Sequence, residues 1–181
     1  MSDEQLIHEI LSGNTLAFKE LMEKYQGMVF RTAMGFVHAK EDAEDITQEI
    51  FIKVYQTLSD FKGDAKFSTW LYRITVNTSI NFINKNRKNS LMQSLENIFF
   101  KSSDEKTPLE QLEESERDKR IKKAIDSLPD AQRTAFVLSK YEELSQKEIA
   151  AVMNKSEGAV EQLIQRAKNT LQKKLEYDRR K

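Results

Sequence analysis

The sequence has no cysteine, two prolines, five glycines, two histidines and one tryptophan in 181 residues. Without cysteine there is no disulfide, no thiolate nucleophile and no zinc–cysteine site, which suits a reducing compartment. His8 and His38 stand far apart, with no ligand spacing between them, so no metal site is expected. Few glycines and prolines mean few tight turns, and the fold class expected is all-α. No apolar run approaches the ~20 residues that a membrane helix needs. The start, Met1-Ser2-Asp3-Glu4, is acidic and has no apolar core behind it, so it does not read as a secretory signal. A cytoplasmic protein is expected. There is no nucleophile–base pair, phosphate loop or metal cluster, so neither an enzyme nor a cofactor is expected.

What is present is charge, and it is segregated. Lysine plus arginine number 29, and so do aspartate plus glutamate, for a formal net charge of zero. Yet 41–60 holds six acids against one base, 62–88 six bases against one acid, and 166–181 seven bases against two acids. Such blocks create local fields of opposite sign that a mixed distribution would cancel.

The apolar pattern divides the chain into two small helical domains and a polar connector. Ser2 with Gln5 forms a capping-box pair, and Asn14 caps the next helix. Phe18, Leu21, Met22, Tyr25, Val29 and Phe30 recur at steps of three and four, as one apolar stripe. A second helix is expected over Asp42 to Leu58, with Ala43, Ile46, Ile50, Val54 and Leu58 inward. A third is expected from Ser68, as N-cap, to about Lys88, after a loop over Phe61 to Phe67. The first domain is therefore placed at 1–89, a flexible connector at 90–112 and the second domain at 113–181. The connector keeps Leu91, Met92, Leu95, Ile98, Phe99 and Phe100. It reads equally as a segment that docks on something and as an extra helix of the first domain.

In the second domain, Ser145-Gln146-Lys147-Glu148 is a capping box. Ile149, Ala150 and Met153 follow as an apolar face, Asn154-Lys155 makes a turn, and Ser156 caps the next helix. That helix turns Val160, Leu163, Ile164, Ala167, Leu171 and Leu175 inward. Two short helices so joined fit a DNA-binding helix-turn-helix, whose second helix enters the major groove. Its outer residues are Glu157, Glu161, Gln162, Gln165, Arg166 and Asn169. Gln and Arg pair with adenine and guanine edges, and Glu accepts from cytosine. Lys168 and Lys173 suit phosphates. Ser156, Glu157, Gly158 and Ala159 would let phosphate approach a helix N-terminus. A plain helical hairpin with a charged face fits the apolar pattern as well.

In the first domain, Glu41, Asp45 and Glu49 stack at four-residue steps, which disfavours the helix beyond its first turn. A basic partner outside the chain would relieve this. On the following helix Arg73, Asn77, Asn81, Asn84 and Lys88 form one polar stripe with Arg87 alongside, and Phe67, Trp70 and Tyr72 stand at its start. Aromatics beside cations are what unpaired bases stack on. A core role for Trp70 is the competing reading.

Taken together, these blocks resemble a bacterial sigma factor of the extracytoplasmic-function type (ECF, group IV) in the sigma-70 superfamily. The resemblance rests on Tyr25 to Ala33, on Glu41-Asp42-Ala43-Glu44-Asp45-Ile46-Thr47-Gln48-Glu49-Ile50-Phe51-Ile52-Lys53, and on Phe67-Ser68-Thr69-Trp70-Leu71-Tyr72-Arg73-Ile74 with Asn77. Leu128-Pro129 and the helix-turn-helix complete it. It implies a sigma-two-like first domain that grips the clamp helices of the polymerase beta-prime subunit through Asp42, Asp45, Gln48, Glu49 and Lys53. That domain would read and melt the minus-ten element with Lys66, Phe67, Ser68, Thr69, Trp70, Arg73, Asn77, Asn81, Arg87 and Lys88, the loop 61–67 holding a flipped base. The second domain would be sigma-four-like, docking on the beta flap and reading the minus-thirty-five element, and the connector would thread toward the polymerase active site. The resemblance also implies an anti-sigma partner and a monomer when free, while the lack of a long C-terminal extension leads one to expect no extra regulatory domain. The sequence departs from the family at Glu161 and Leu163, where many members carry basic residues, so the minus-thirty-five sequence stays open.

The competing readings are a free-standing helix-turn-helix regulator of duplex DNA, which would leave the aromatic loop without a task, and an adaptor whose polar helices meet only protein.

Overall fold

The computed structural model describes the backbone of residues 1–99 and 116–178 and the side chains of 1–89 and 116–176. Among the described residues the fold is all-α, with no strand. The helices are α1 (Asp3–Leu11), α2 (Thr15–Val37), α3 (Lys40–Thr57), α4 (Phe67–Phe99), α5 (Glu116–Asp126), α6 (Asp130–Lys140), α7 (Gln146–Met153) and α8 (Glu157–Asp178). A single 3-10 turn, Leu58–Asp60, follows α3.

Helix starts follow local chemistry. The Ser2–Gln5 and Ser145–Glu148 capping boxes both close, the Asn14 carboxamide accepts from the N–H groups of Leu16 and Ala17, and the Ser156 hydroxyl accepts from Ala159 N–H. Each satisfies donors that the first turn leaves unpaired. Helix α3 begins at Lys40, two residues earlier than its apolar pattern indicates, with Glu41 and Asp42 in the first turn and no side-chain cap. There the macrodipole favours the acids directly. Helix α4 differs at both ends from expectation. Ser68 is not its N-cap, because the helix starts at Phe67 and the N–H groups of Thr69 and Trp70 donate to the Lys66 carbonyl. Its backbone runs on to Phe99 rather than stopping near Lys88, since neither Gly nor Pro interrupts 68–99. The connector's apolar residues and their docking lie outside the described side chains.

The first domain packs α1, α2, α3 and the first half of α4 around Leu6, Leu21, Val29, Ile46, Ile50, Val54 and Leu71, all fully buried. Each such side chain contributes about 1.5–3 kcal/mol of apolar burial. In the second domain α5, through Ala124 and Ile125, and Leu128 just after it lie on Ala167 and Leu171 of α8. The Arg133 side chain is 1% exposed; its guanidinium donates to the Asp126 carbonyl and so pins the α5–α6 elbow. Burial pulls its pKa down, while Asp126 favours the charged form.

A third cluster joins the domains. Phe36 of α2 with Tyr72 and Val76 of α4 packs among Ala135, Val137 and Leu138 of α6, Ile149, Ala150 and Val152 of α7, and Val160 and Ile164 of α8. Neither Phe36 nor Val152 stood out in the sequence, because each sits off the stripe that fills its own domain.

Candidate nucleic-acid interface

The described candidate residues fall on three faces. On α3, Glu41, Asp45, Gln48 and Glu49 are exposed and Asp42 is half-buried. Glu49 takes Lys53 Nζ at 2.9 Å, and the same ammonium donates to Thr78 Oγ1 of α4 at 3.3 Å. Glu41 and Asp45 have no ion-pair partner among the described residues. Ile52 and Tyr55 lie further along α3, 59% and 54% exposed. The acidic ridge is therefore solvent-facing over most of its length and ends beside large apolar groups.

The second face is the α3–α4 loop and α4. Phe67 is buried, with its ring edge-on to Tyr25 at 5.2 Å and to Phe61 at 5.6 Å. Trp70 is half-buried, 5.5 Å from Phe61 and 5.6 Å from Phe67. Phe67 thus serves as the floor of an aromatic nest and offers no open ring face, while Trp70 keeps part of its surface accessible. Lys66 is exposed, and Ser68 and Thr69 are partly covered. The polar stripe divides. Asn77, Asn81 and Lys88 are exposed, but both arginines are engaged by the second domain. Arg73 Nε donates to the Val152 carbonyl at 3.2 Å and its Nη2 to the Ala151 carbonyl at 2.5 Å. These acceptors are the unpaired carbonyls at the end of α7, where the helix dipole favours a cation. Arg87 Nη2 donates to the Asp126 carbonyl at 2.8 Å. Asn77 borders a cleft of about 440 Å³ between the domains, closed on the far side by Asp130, Thr134, Met153 and Asn154.

Further polar contacts tie the domains together. The Glu142 carboxylate, 1% exposed, accepts from the Tyr72 hydroxyl at 2.9 Å and from Arg31 Nη2 at 3.3 Å. Burial first, then the Glu142 charge and hydrogen bond, push the Tyr72 hydroxyl's pKa up, so it remains a donor through the physiological range. His38 Nε2 lies 3.1 Å from Asp126 Oδ1.

The third face is the outer side of α8 with its cap. Ser156, Glu157, Gly158, Glu161, Gln162, Gln165, Arg166, Lys168, Asn169 and Lys173 are exposed, and Ala159 is half-buried. Gln165 Nε2 donates to Asn169 Oδ1 at 3.0 Å, which aligns two amide groups along one exposed row. Arg166, Lys168 and Lys173 have no ion-pair partner among the described residues. Asn154 ends α7 in the left-handed region, φ 52°, its N–H returning to Ala150, and this brings α8 across α7 as the helix-turn-helix requires.

Two family profiles fall on these units: residues 21–89 match Sigma-70 region 2, and residues 118–171 match Sigma-70, region 4. The chain is 34% identical to the RNA polymerase sigma-H factor of Pseudomonas aeruginosa, over 96% of this chain and 94% of that protein. It is also 34% identical to the ECF RNA polymerase sigma-E factor of Escherichia coli K12, over 97% of this chain and 95% of that protein. It belongs to the ECF RNA polymerase sigma factors of the sigma-70 family. Among solved structures it resembles CnrH in complex with the cytosolic domain of CnrY, at TM-score 0.70 and 27% identity over 97% of this chain and 98% of that one. The fold is shared with RpoE bound to the anti-sigma factor NepR from Bartonella quintana, at TM-score 0.61 and 24% identity over 89% of this chain and 98% of that one. As a sigma factor the chain is a transcription initiation factor that binds core RNA polymerase and directs promoter-specific initiation. No described helix is long and apolar enough to cross a membrane.

Proposed function

We propose a division of labour among the three faces of this ECF sigma factor. The α3 ridge, with Asp42, Asp45, Gln48, Glu49 and Lys53, docks on the clamp helices of polymerase, and the second domain reaches the beta flap. Residues 66–88 receive the unpaired minus-ten strand, with Trp70 as the stacking ring and Arg73, Asn77, Asn81, Arg87 and Lys88 along its path. The outer side of α8 and its cap, 156–169, read the minus-thirty-five duplex. The domains are taken as 1–89 and 113–181, joined by 90–112. The chain itself performs no catalysis, works in the cytoplasm and is monomeric when free. Its partner outside the polymerase is an anti-sigma factor, as NepR is for the RpoE it accompanies.

The observation that supports this reading best is the order of the faces. An acidic exposed helix leads directly into a helix with an aromatic start and a cationic, amide-rich stripe, and the exposed helix-turn-helix comes last. Single-strand capture needs stacking rings beside cations, and duplex reading needs a helix with Gln and Arg outward. Run-off transcription with core polymerase and a library of upstream sequences tests it and reads both promoter elements. The paired reversal Asp45→Lys with Glu49→Lys is expected to abolish assembly with core polymerase, because like-charge juxtaposition at an interface costs several kcal/mol. A reversed variant that assembles and initiates as well as the parent overturns the α3 assignment.

A further inference from the structure

We propose that Asp3 and Tyr25 are positioning residues for minus-ten capture: a carboxylate on α1 anchors the tyrosine hydroxyl, and the tyrosine ring braces the floor against which Trp70 is set. This rests on the assignment of Trp70 as the stacking ring and adds the remote groups that hold it in place.

A chain of contacts runs from the first turn of α1 to the aromatic nest. Asp3 Oδ2 accepts from the Tyr25 hydroxyl at 2.7 Å, and Asp3 Oδ1 takes Lys24 Nζ at 2.6 Å. The Tyr25 ring meets Phe67 edge-on at 5.2 Å, and Phe67 in turn lies 5.6 Å from Trp70. Ring pairs at such distances favour particular orientations beyond the area they bury. Burial alone would raise the Asp3 carboxyl, but the bonds from Lys24 and Tyr25 outweigh it and hold it below its ordinary range. The acceptor is therefore charged at neutral pH, and a hydroxyl bonded to a carboxylate is held more strongly than one bonded to a neutral oxygen.

The nest needs such a brace. Phe67, 2% exposed, is the first residue of α4, and helix ends fray. Residues 62–66, which lead into it, form neither helix nor strand. Among the described residues the ring partners of Phe67 are Tyr25, Phe61 and Trp70, and of these only Tyr25 stands on a separate helix, in the interior of α2. Asp3 lies ahead of the region 2 match, which begins at residue 21, so the brace joins a segment outside that match to the strand-facing end of α4. Lys24 shares the carboxylate, but its side chain is 45% exposed, and an ion pair so placed contributes little.

The test uses the full chain with core polymerase and a promoter drawn from the run-off library. Trp70 is the only tryptophan, so its emission in the native protein reports on the nest directly. Tyr25→Phe and Asp3→Ala are each expected to shift that emission and to lower open-complex formation about tenfold, with co-purification of core polymerase unchanged. Asp3→Asn, whose amide oxygen still accepts the hydroxyl, and Lys24→Met are expected to stay within about twofold of the parent. Tyr25→Phe combined with Asp3→Ala is expected to fall no further than either alone, because both remove one bond. Unmoved emission or open-complex formation in Tyr25→Phe, loss of core polymerase from that variant, an Asp3→Asn as impaired as Asp3→Ala, or additive losses in the double variant would each overturn the brace. Trp70→Ala is measured in parallel. If it opens the promoter as well as the parent, the assignment of the stacking ring falls; if it fails while Tyr25→Phe opens normally, the brace alone falls.

Discussion

The two surfaces proposed to meet DNA share a vocabulary of Arg, Asn and Lys, yet the fold treats them oppositely. On α4 both arginines donate to carbonyls of the other domain. On α8 Arg166 and Lys168 project into solvent. The lesson concerns what each must bind. A duplex is always available, and a reading helix for it can stand exposed. A melted strand exists only inside the transcription machine, and cations left free beside a partly open ring would hold any unpaired nucleic acid, since aromatic stacking tolerates sequence.

The largest effect expected on this contrast comes from the core beneath the α4 stripe. Leu71→Ala empties a fully buried site and is expected to cost about 2–5 kcal/mol in chemical denaturation. If the two surfaces are structurally separate, strand binding falls with the first domain while duplex binding by α8 persists. Next, Arg166→Ala is expected to cost about 1–3 kcal/mol at one position of the upstream element and relax its preference there, whereas Lys168→Ala weakens all duplex sequences alike and lowers the salt slope by about one. Competition assays across a sequence library and a salt series separate these outcomes.

Arg73→Ala removes a strand contact and a domain contact together. Single-strand affinity is expected to move less than open-complex formation, which is lowered, because loosening of α4 from the end of α7 offsets part of the lost contact; permanganate footprinting and anisotropy compared side by side check this. The smallest effect is at the turn that aims α8. Ser145→Ala breaks the capping box and is expected to cost about 1 kcal/mol. The Ser145 hydroxyl and N–H hold the Glu148 carboxyl below its ordinary range, with Lys66 adding to the effect. A depressed carboxylate stabilises above its unfolded value of 4.5 and loses that contribution as pH falls through the folded value. The difference between variant and parent in thermal melts should therefore narrow as pH drops below that range, down to what the Glu148 N–H bond to the Ser145 hydroxyl contributes.

Much of this was readable from the chain. Both capping boxes, the Asn14 and Ser156 caps and the inward residues of α3 and α8 follow from spacing, because caps are local and apolar faces repeat. The sigma-factor family was readable too, from the acidic helix and the Phe67 to Ile74 segment. The start of α4 was misread because Ser68 is a strong cap by residue type, whereas the turn closes on the Lys66 carbonyl. The domain seam was invisible for a different reason. Phe36, Val76 and Val152 break no pattern, and the capture of Arg73 by main-chain oxygens leaves no trace in residue identity. Gly35 was the available signal, a glycine inside an otherwise strong helix, where a Cβ would stand 2.7 Å from Val137 Cγ1.

Glu142 bears on how readily that seam parts. One of its oxygens serves Tyr72 and Arg31, but the other is sealed in without a donor among the described residues. Sequestering half a carboxylate in this way erodes the gain from the surrounding hydrocarbon. On separation water would rehydrate the anion at once, so the junction behaves as a clasp, not a weld. A modest competitor offering a better donor to that oxygen, or a better acceptor to Arg73, could undo it without unfolding either half.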